Sequence, residues 1–108
     1  MTTGKYLFVA VAFDGTEQIP YFEKAETFWV YCMEDGKLKK RQFLSVYAKD
    51  STEQIRRFKE SMVDVIICRN FSPKAMAVLK KNGLKLYSFD GASDAAFKAF
   101  TKGTIWEL

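Results

Sequence analysis

Two short segments hold the side chains best suited to chemistry. Cys68-Arg69-Asn70-Phe71-Ser72-Pro73-Lys74-Ala75 offers a thiol, a guanidinium and an amide between an apolar run and a helix start, and Tyr21-Phe22-Glu23-Lys24-Ala25 offers a phenol and an ammonium between two earlier strands. A thiolate binds iron, and a helix N-terminus beside it lowers its pKa. Cys68 is therefore the leading ligand candidate, against the plainer reading that it is a small apolar residue ending a buried strand. Arg69 and Lys24 can pair with an anion and Asn70 can donate to one, unless these side chains are simply solvated. Cys32, in the middle of an aromatic run, reads as core.

The chain has no histidine. That excludes imidazole-ligated metal sites, Ser-His-Asp triads and Cys-His catalysis outright. Two cysteines on different predicted strands, with no Cys-x-x-Cys spacing, suit reduced thiols. Seventeen Lys and Arg against thirteen Asp and Glu give a formal charge of +4, densest at Lys37-Leu38-Lys39-Lys40-Arg41. With no nucleic-acid reader motif around it, this run reads as a solvated face, and no nucleic-acid partner is expected.

The elements that must position these residues follow from local patterns. Tyr6 to Phe13 is a continuous apolar run of strand length, the mark of a central strand covered on both faces. Thr27 to Met33 and Leu38 to Tyr47 flank Glu34-Asp35-Gly36-Lys37, a hairpin signature. Asp50 with Glu53, or Ser51 with Gln54, has capping-box spacing and predicts a helix to about Ser61, with Ile55, Phe58 and Met62 on its apolar face. Val63 to Cys68 is the next strand. Ser72-Pro73 gives an N-cap followed by proline at the first helical position, and Asn82-Gly83 a left-handed stop. Leu84 to Phe89 is a last strand, and Ser93 is the expected N-cap of a final helix over Asp94 to Lys102, which buries Ala96, Phe97 and Phe100 and stops at Gly103.

Right-handed crossovers then place the fourth and fifth strands beside the first, giving a mixed five-stranded sheet of order 3-2-1-4-5 with helices on both faces. This is an α/β, three-layer arrangement of ribonuclease H-like topology. At 108 residues and 48% hydrophobic content, one domain over residues 1–108 is expected, with a core that buries roughly two-thirds of the unfolded surface. No run of ~18 apolar residues and no signal-peptide pattern occurs, so a cytoplasmic protein without a membrane partner is expected.

The order of elements and both segments resemble the dinitrogenase iron-molybdenum cofactor biosynthesis family from about Tyr6 to Gly103. Tyr21-Phe22-Glu23-Lys24-Ala25 is similar to the family's His-Phe-Gly-Arg-Ala motif, keeping Phe22, Ala25 and a positive charge at Lys24 but placing Tyr21 where the family has histidine. Cys68 to Ala75 is similar to Cys-Gly-Gly-Ile-Gly-Pro-Arg-Ala, keeping Cys68, Pro73, Ala75 and a charge at Lys74, with Arg69, Asn70 and Ser72 in place of glycines. The resemblance implies a non-catalytic carrier or accessory protein. It would bind an iron-sulfur cluster or iron-molybdenum cofactor precursor at Tyr21, Lys24, Cys68, Arg69 and Asn70, with Cys68 as metal ligand and a cluster-assembly or acceptor protein as partner. The alternative is a diverged member that binds no cofactor and acts through protein contacts. A two-metal nuclease on this fold would need clustered carboxylates, whereas Asp14, Glu53, Glu60 and Asp64 are spread over separate elements. Asp14 reads instead as a loop cap.

Overall fold

The computed structural model describes residues 5–46 and 51–108. Its elements run β1 (Tyr6–Ala12), a single 3₁₀ turn (Phe22–Lys24), β2 (Thr27–Glu34), β3 (Lys37–Ser45), α1 (Ser51–Glu60), β4 (Val65–Cys68), α2 (Pro73–Lys81), β5 (Lys85–Ser88) and α3 (Ser93–Lys102). The sheet order is β3-β2-β1-β4-β5, as the crossover argument requires. β1 pairs antiparallel with β2 and parallel with β4, and β5 extends the parallel half.

Aromatic contacts fix the faces. Phe28 meets Phe58 of α1 edge-on at 5.2 Å between ring centroids, whereas Tyr31, of opposite parity on β2, stacks on Phe97 of α3 at 3.9 Å, and Tyr87 meets Phe100 of α3. Side chains alternate along a strand, so α1 packs on one face and α3 on the other. The layer between them is dry: Val9 to Ala12 and Val65 to Cys68 are all buried, which accounts for the unbroken apolar runs.

The hairpin turns on Asp35 and Gly36, both at positive φ (53° and 81°), the type I′ geometry that Asp-Gly favours. Ser72 caps α2, its Oγ accepting from the Ala75 N–H at 3.1 Å, with Pro73 in the first turn. Asn82 is the C-cap and Gly83 takes the left-handed position after it. The start of α1 expected at Asp50 lies outside the described residues, as does the Tyr47 end expected for β3.

Two expectations change. Met62 is not on the buried face of α1. The helix ends at Glu60, Met62 stands at φ 60°, and the Met62 and Val63 N–H groups donate to the Lys59 and Phe58 carbonyls. This is the closing pattern that Gly83 gives α2 and Gly103 gives α3. Without a glycine the stop was invisible, and Met62 ends exposed. Met62→Gly is expected to stabilise the domain by up to about 1 kcal/mol in urea unfolding, since relief of left-handed strain exceeds the entropy that glycine adds to the unfolded chain. Ser93, in turn, does not cap α3. Ala92 holds that position without a side-chain bond, and the Ser93 hydroxyl donates to the Ala12 carbonyl at 2.8 Å, tying α3 to the end of β1.

Candidate functional site

β1 and β4 lie side by side in parallel, and the chain leaves their carboxyl ends toward opposite edges of the sheet. A crevice above such a divergence is where open α/β sheets bind ligands. The loops there are drawn together by Arg69. Its N–H donates to the Pro20 carbonyl at 2.9 Å, and its guanidinium reaches Gln18 Oε1 and Asp90 Oδ1, both at 3.3 Å, while lying 5.3 Å from the Tyr21 ring centroid. Asp14 caps the loop after β1, accepting from both the N–H and the hydroxyl of Thr16, and those two bonds hold its carboxyl below the usual range.

The two sequence segments meet at this rim. The Phe22 N–H donates to the Asn70 carbonyl at 3.0 Å, Phe22 stacks on Phe71 at 5.4 Å, and Glu23 Oε2 accepts from the Ser72 N–H at 3.0 Å. Tyr21, Arg69 and Asn70 are thus brought together, with Lys24 exposed on the same 3₁₀ turn. The Asn70 amide oxygen accepts from the Phe71 N–H at 2.9 Å, closing the turn locally. A shallow cleft of about 270 Å³ lies alongside, lined by Phe22, Glu23, Gln54, Ser72, Lys74 and Ala75.

Cys68 sits beneath this rim at 0% exposure. Burial pushes its thiol well above the ordinary range, and the negative charge of Glu23 adds to the shift. The lowering expected from the neighbouring helix start is therefore reversed: the thiol lies under the turn in a dry layer, where desolvation of a thiolate outweighs a screened dipole. Glu23 is the residue that sequence reasoning passed over. It stands where the similar motif has glycine, and its carboxylate occupies the start of α2, where an anionic ligand would otherwise find free N–H groups. With Pro73 lacking an N–H and the Ala75 N–H taken by Ser72, little of that helix end remains for a guest.

An iron-sulfur cluster does not fit the side chains present. Its thiolate candidate is sealed and neutral, Tyr21 replaces an imidazole, and Glu23 puts a negative charge where an anionic cluster would dock. Among the described residues no group of three or more Cys, Asp or Glu side chains could hold a metal ion.

A larger cleft of about 360 Å³ opens on the α3 face, lined in part by Phe13, Trp29, Tyr31, Arg41 and Asp94. Arg41 stacks 4.1 Å from the Trp29 ring centroid, and Trp29 meets Phe43 edge-on at 5.4 Å. Alternation of Trp29 and Tyr31 opposite Phe43 and Arg41 in the hairpin was the signal for it.

The architecture and the meeting of the two segments define a small α/β domain whose site loops converge on one sheet end. The chain belongs to the dinitrogenase iron-molybdenum cofactor family, whose model matches residues 5–103. It is 26% identical over 107 aligned residues to the uncharacterized protein MJ0580 of Methanocaldococcus jannaschii, covering 94% of this chain and 91% of that protein. Among solved structures, the crystal structure of MJ0327 from the same organism superposes with a TM-score of 0.75 at 19% identity, covering 100% of this chain and 97% of the other. The apo form of the orange protein of Desulfovibrio gigas gives 0.76 at 17% identity, covering 98% and 96%. At these identities the structural likeness speaks to the fold. No helix among the described residues is long and apolar enough to cross a membrane.

Proposed function

We propose that this chain is a non-catalytic accessory protein of metallocofactor biosynthesis that acts through contacts with an assembly or acceptor protein in the cytoplasm and does not hold a cluster on Cys68. Family membership supports the accessory role. The sealed, neutral Cys68 beneath a helix start filled by Glu23 carries the rest. The ribonuclease H-like label suits the sheet order but brings no nuclease site with it, because the carboxylates lie apart: Asp14 is bound to Thr16 at one end of β1, and Asp64 accepts from the Phe8 N–H near the other.

One observation favours the carrier reading instead. Tyr21, Lys24, Arg69 and Asn70 do share one rim, so an anionic cargo cluster would meet Lys24 and Arg69 there by charge alone. Anaerobic incubation of the purified chain with a preformed iron-sulfur cluster, removal of excess, and measurement of bound iron with visible absorption decides between them. The expected result is no stoichiometric iron. Retention near one cluster per chain or per dimer would overturn the protein-contact reading.

A further inference from the structure

We propose that the outer edge of β3 is a docking edge for an extended acidic segment of a partner protein, which adds to the sheet beyond β3. The proposal deepens the protein-contact reading by naming the surface and the chemistry of the partner.

β3 is nine residues long and pairs with β2 alone among the described residues, so its other edge presents open backbone N–H and C=O groups. Lys37 to Phe43 are all exposed. The cations in this stretch are Lys37, Lys39, Lys40 and Arg41. Lys37 lies across the ladder from Glu34, while the ion pairs of the described residues fall on α1 and at Arg69, leaving Lys39, Lys40 and Arg41 without a carboxylate within 4.0 Å.

The register divides this edge into two kinds of neighbour. Lys40 is the partner of Cys32 and Gln42 of Val30, which share the α1 face with Phe28. Phe43 is the partner of Trp29 and Leu38 of Met33, which share the α3 face with Tyr31. Leu38 and Phe43 are 52% and 55% exposed, and Phe43 meets Trp29 of the larger cleft. A strand laid along β3 would set one row of side chains against Lys40 and Gln42 and the other against Phe43 and Leu38 with Arg41, the partner of Tyr31, between them; the ladder skips Lys39, where the register shifts between Cys32 and Met33. The complementary segment therefore carries acidic residues opposite Lys40 and Arg41 and apolar residues opposite Phe43 and Leu38.

Charge also selects against the other occupants. A second copy pairing edge to edge would bring two lysine-rich runs together, the device by which exposed edges resist self-association. A nucleic acid would satisfy the charges but leave the backbone edge and Leu38 unused.

The test is titration of the full chain, followed by amide NMR, with a blocked heptapeptide that carries glutamate at the positions opposite Lys40 and Arg41 and valine elsewhere. Saturable binding with shifts along β3 is expected, weakened about tenfold or more by Lys39→Glu with Lys40→Glu, and abolished when alternate peptide amides facing β3 are N-methylated. Three results would each overturn the proposal: no saturable binding, equal binding of the N-methylated peptide, or tighter binding of single-stranded DNA than of the peptide at the same salt. Cluster retention in the iron experiment bears on the functional reading and leaves this result standing, so the two can fail separately.

Discussion

Phe58→Ala is expected to lower the unfolding free energy by about 3–5 kcal/mol, a large share of the stability of a domain this size. Phe58 is fully buried on α1 and is the ring that joins the helix layer to both halves of the site: it meets Phe28 of β2 edge-on and lies 6.3 Å from Phe22, which in turn stacks on Phe71. Truncation leaves a void bordered by rings that cannot all move inward, since Phe22 is held by the bond from its N–H to the Asn70 carbonyl. Urea unfolding measures the loss. Amide shifts in the folded variant should spread to residues 21–25 and 69–72, whereas a change confined to α1 would show that the rim is not supported from below.

Labelling of Cys68 should be slower than that of a free thiol by about a thousandfold or more, because reaction requires opening of a layer whose stability is that of the whole domain. In a Cys32→Ala background, which removes the other buried thiol, an aromatic disulfide reagent reads this rate directly. Rapid labelling of the folded chain would show a reachable thiol and return Cys68 to the ligand candidates. The same burial has a signature in pH. The folded-state pKa is raised, so the contribution of Cys68 to stability is fully present below the ordinary thiol pKa of about 8.5 and is lost as pH rises from there through the folded value. Between those limits the unfolded chain releases the proton first. Cys68→Ala should therefore show a shallower alkaline loss of stability than the parent above about pH 8.5.

What could be read from the chain beforehand was what lies close together along it. Asp35-Gly36 specifies its turn by two positive φ angles, Ser72-Pro73 its helix start by one cap bond and one missing donor, and Tyr6 to Ala12 its central place by having no polar face. The sheet order followed from these with the handedness of crossovers. The misses depend on neighbours distant in sequence. Ser93 has the type of a cap but finds the Ala12 carbonyl, 81 positions away, and the Cys68 thiol responds to a dry layer assembled from four strands. Glu23 reaches Ser72 across 49 positions, and no local pattern announces that a carboxylate will fill the start of α2. Its place at a motif glycine was the available hint.

The segment after α3 returns to the far edge of the sheet. Glu107 bridges to Tyr87 and the Leu108 N–H donates to the Leu86 carbonyl at 2.8 Å, while Trp106 points outward at 79% exposure. β5 is only four residues long, so this short return blocks much of its free side. Growth of a sheet from molecule to molecule needs an acceptor edge at each end, and here one end is already closed by the chain itself. The domain is one-sided in that respect: β3 is left as the open edge, and the edge at β5 offers little to a further strand.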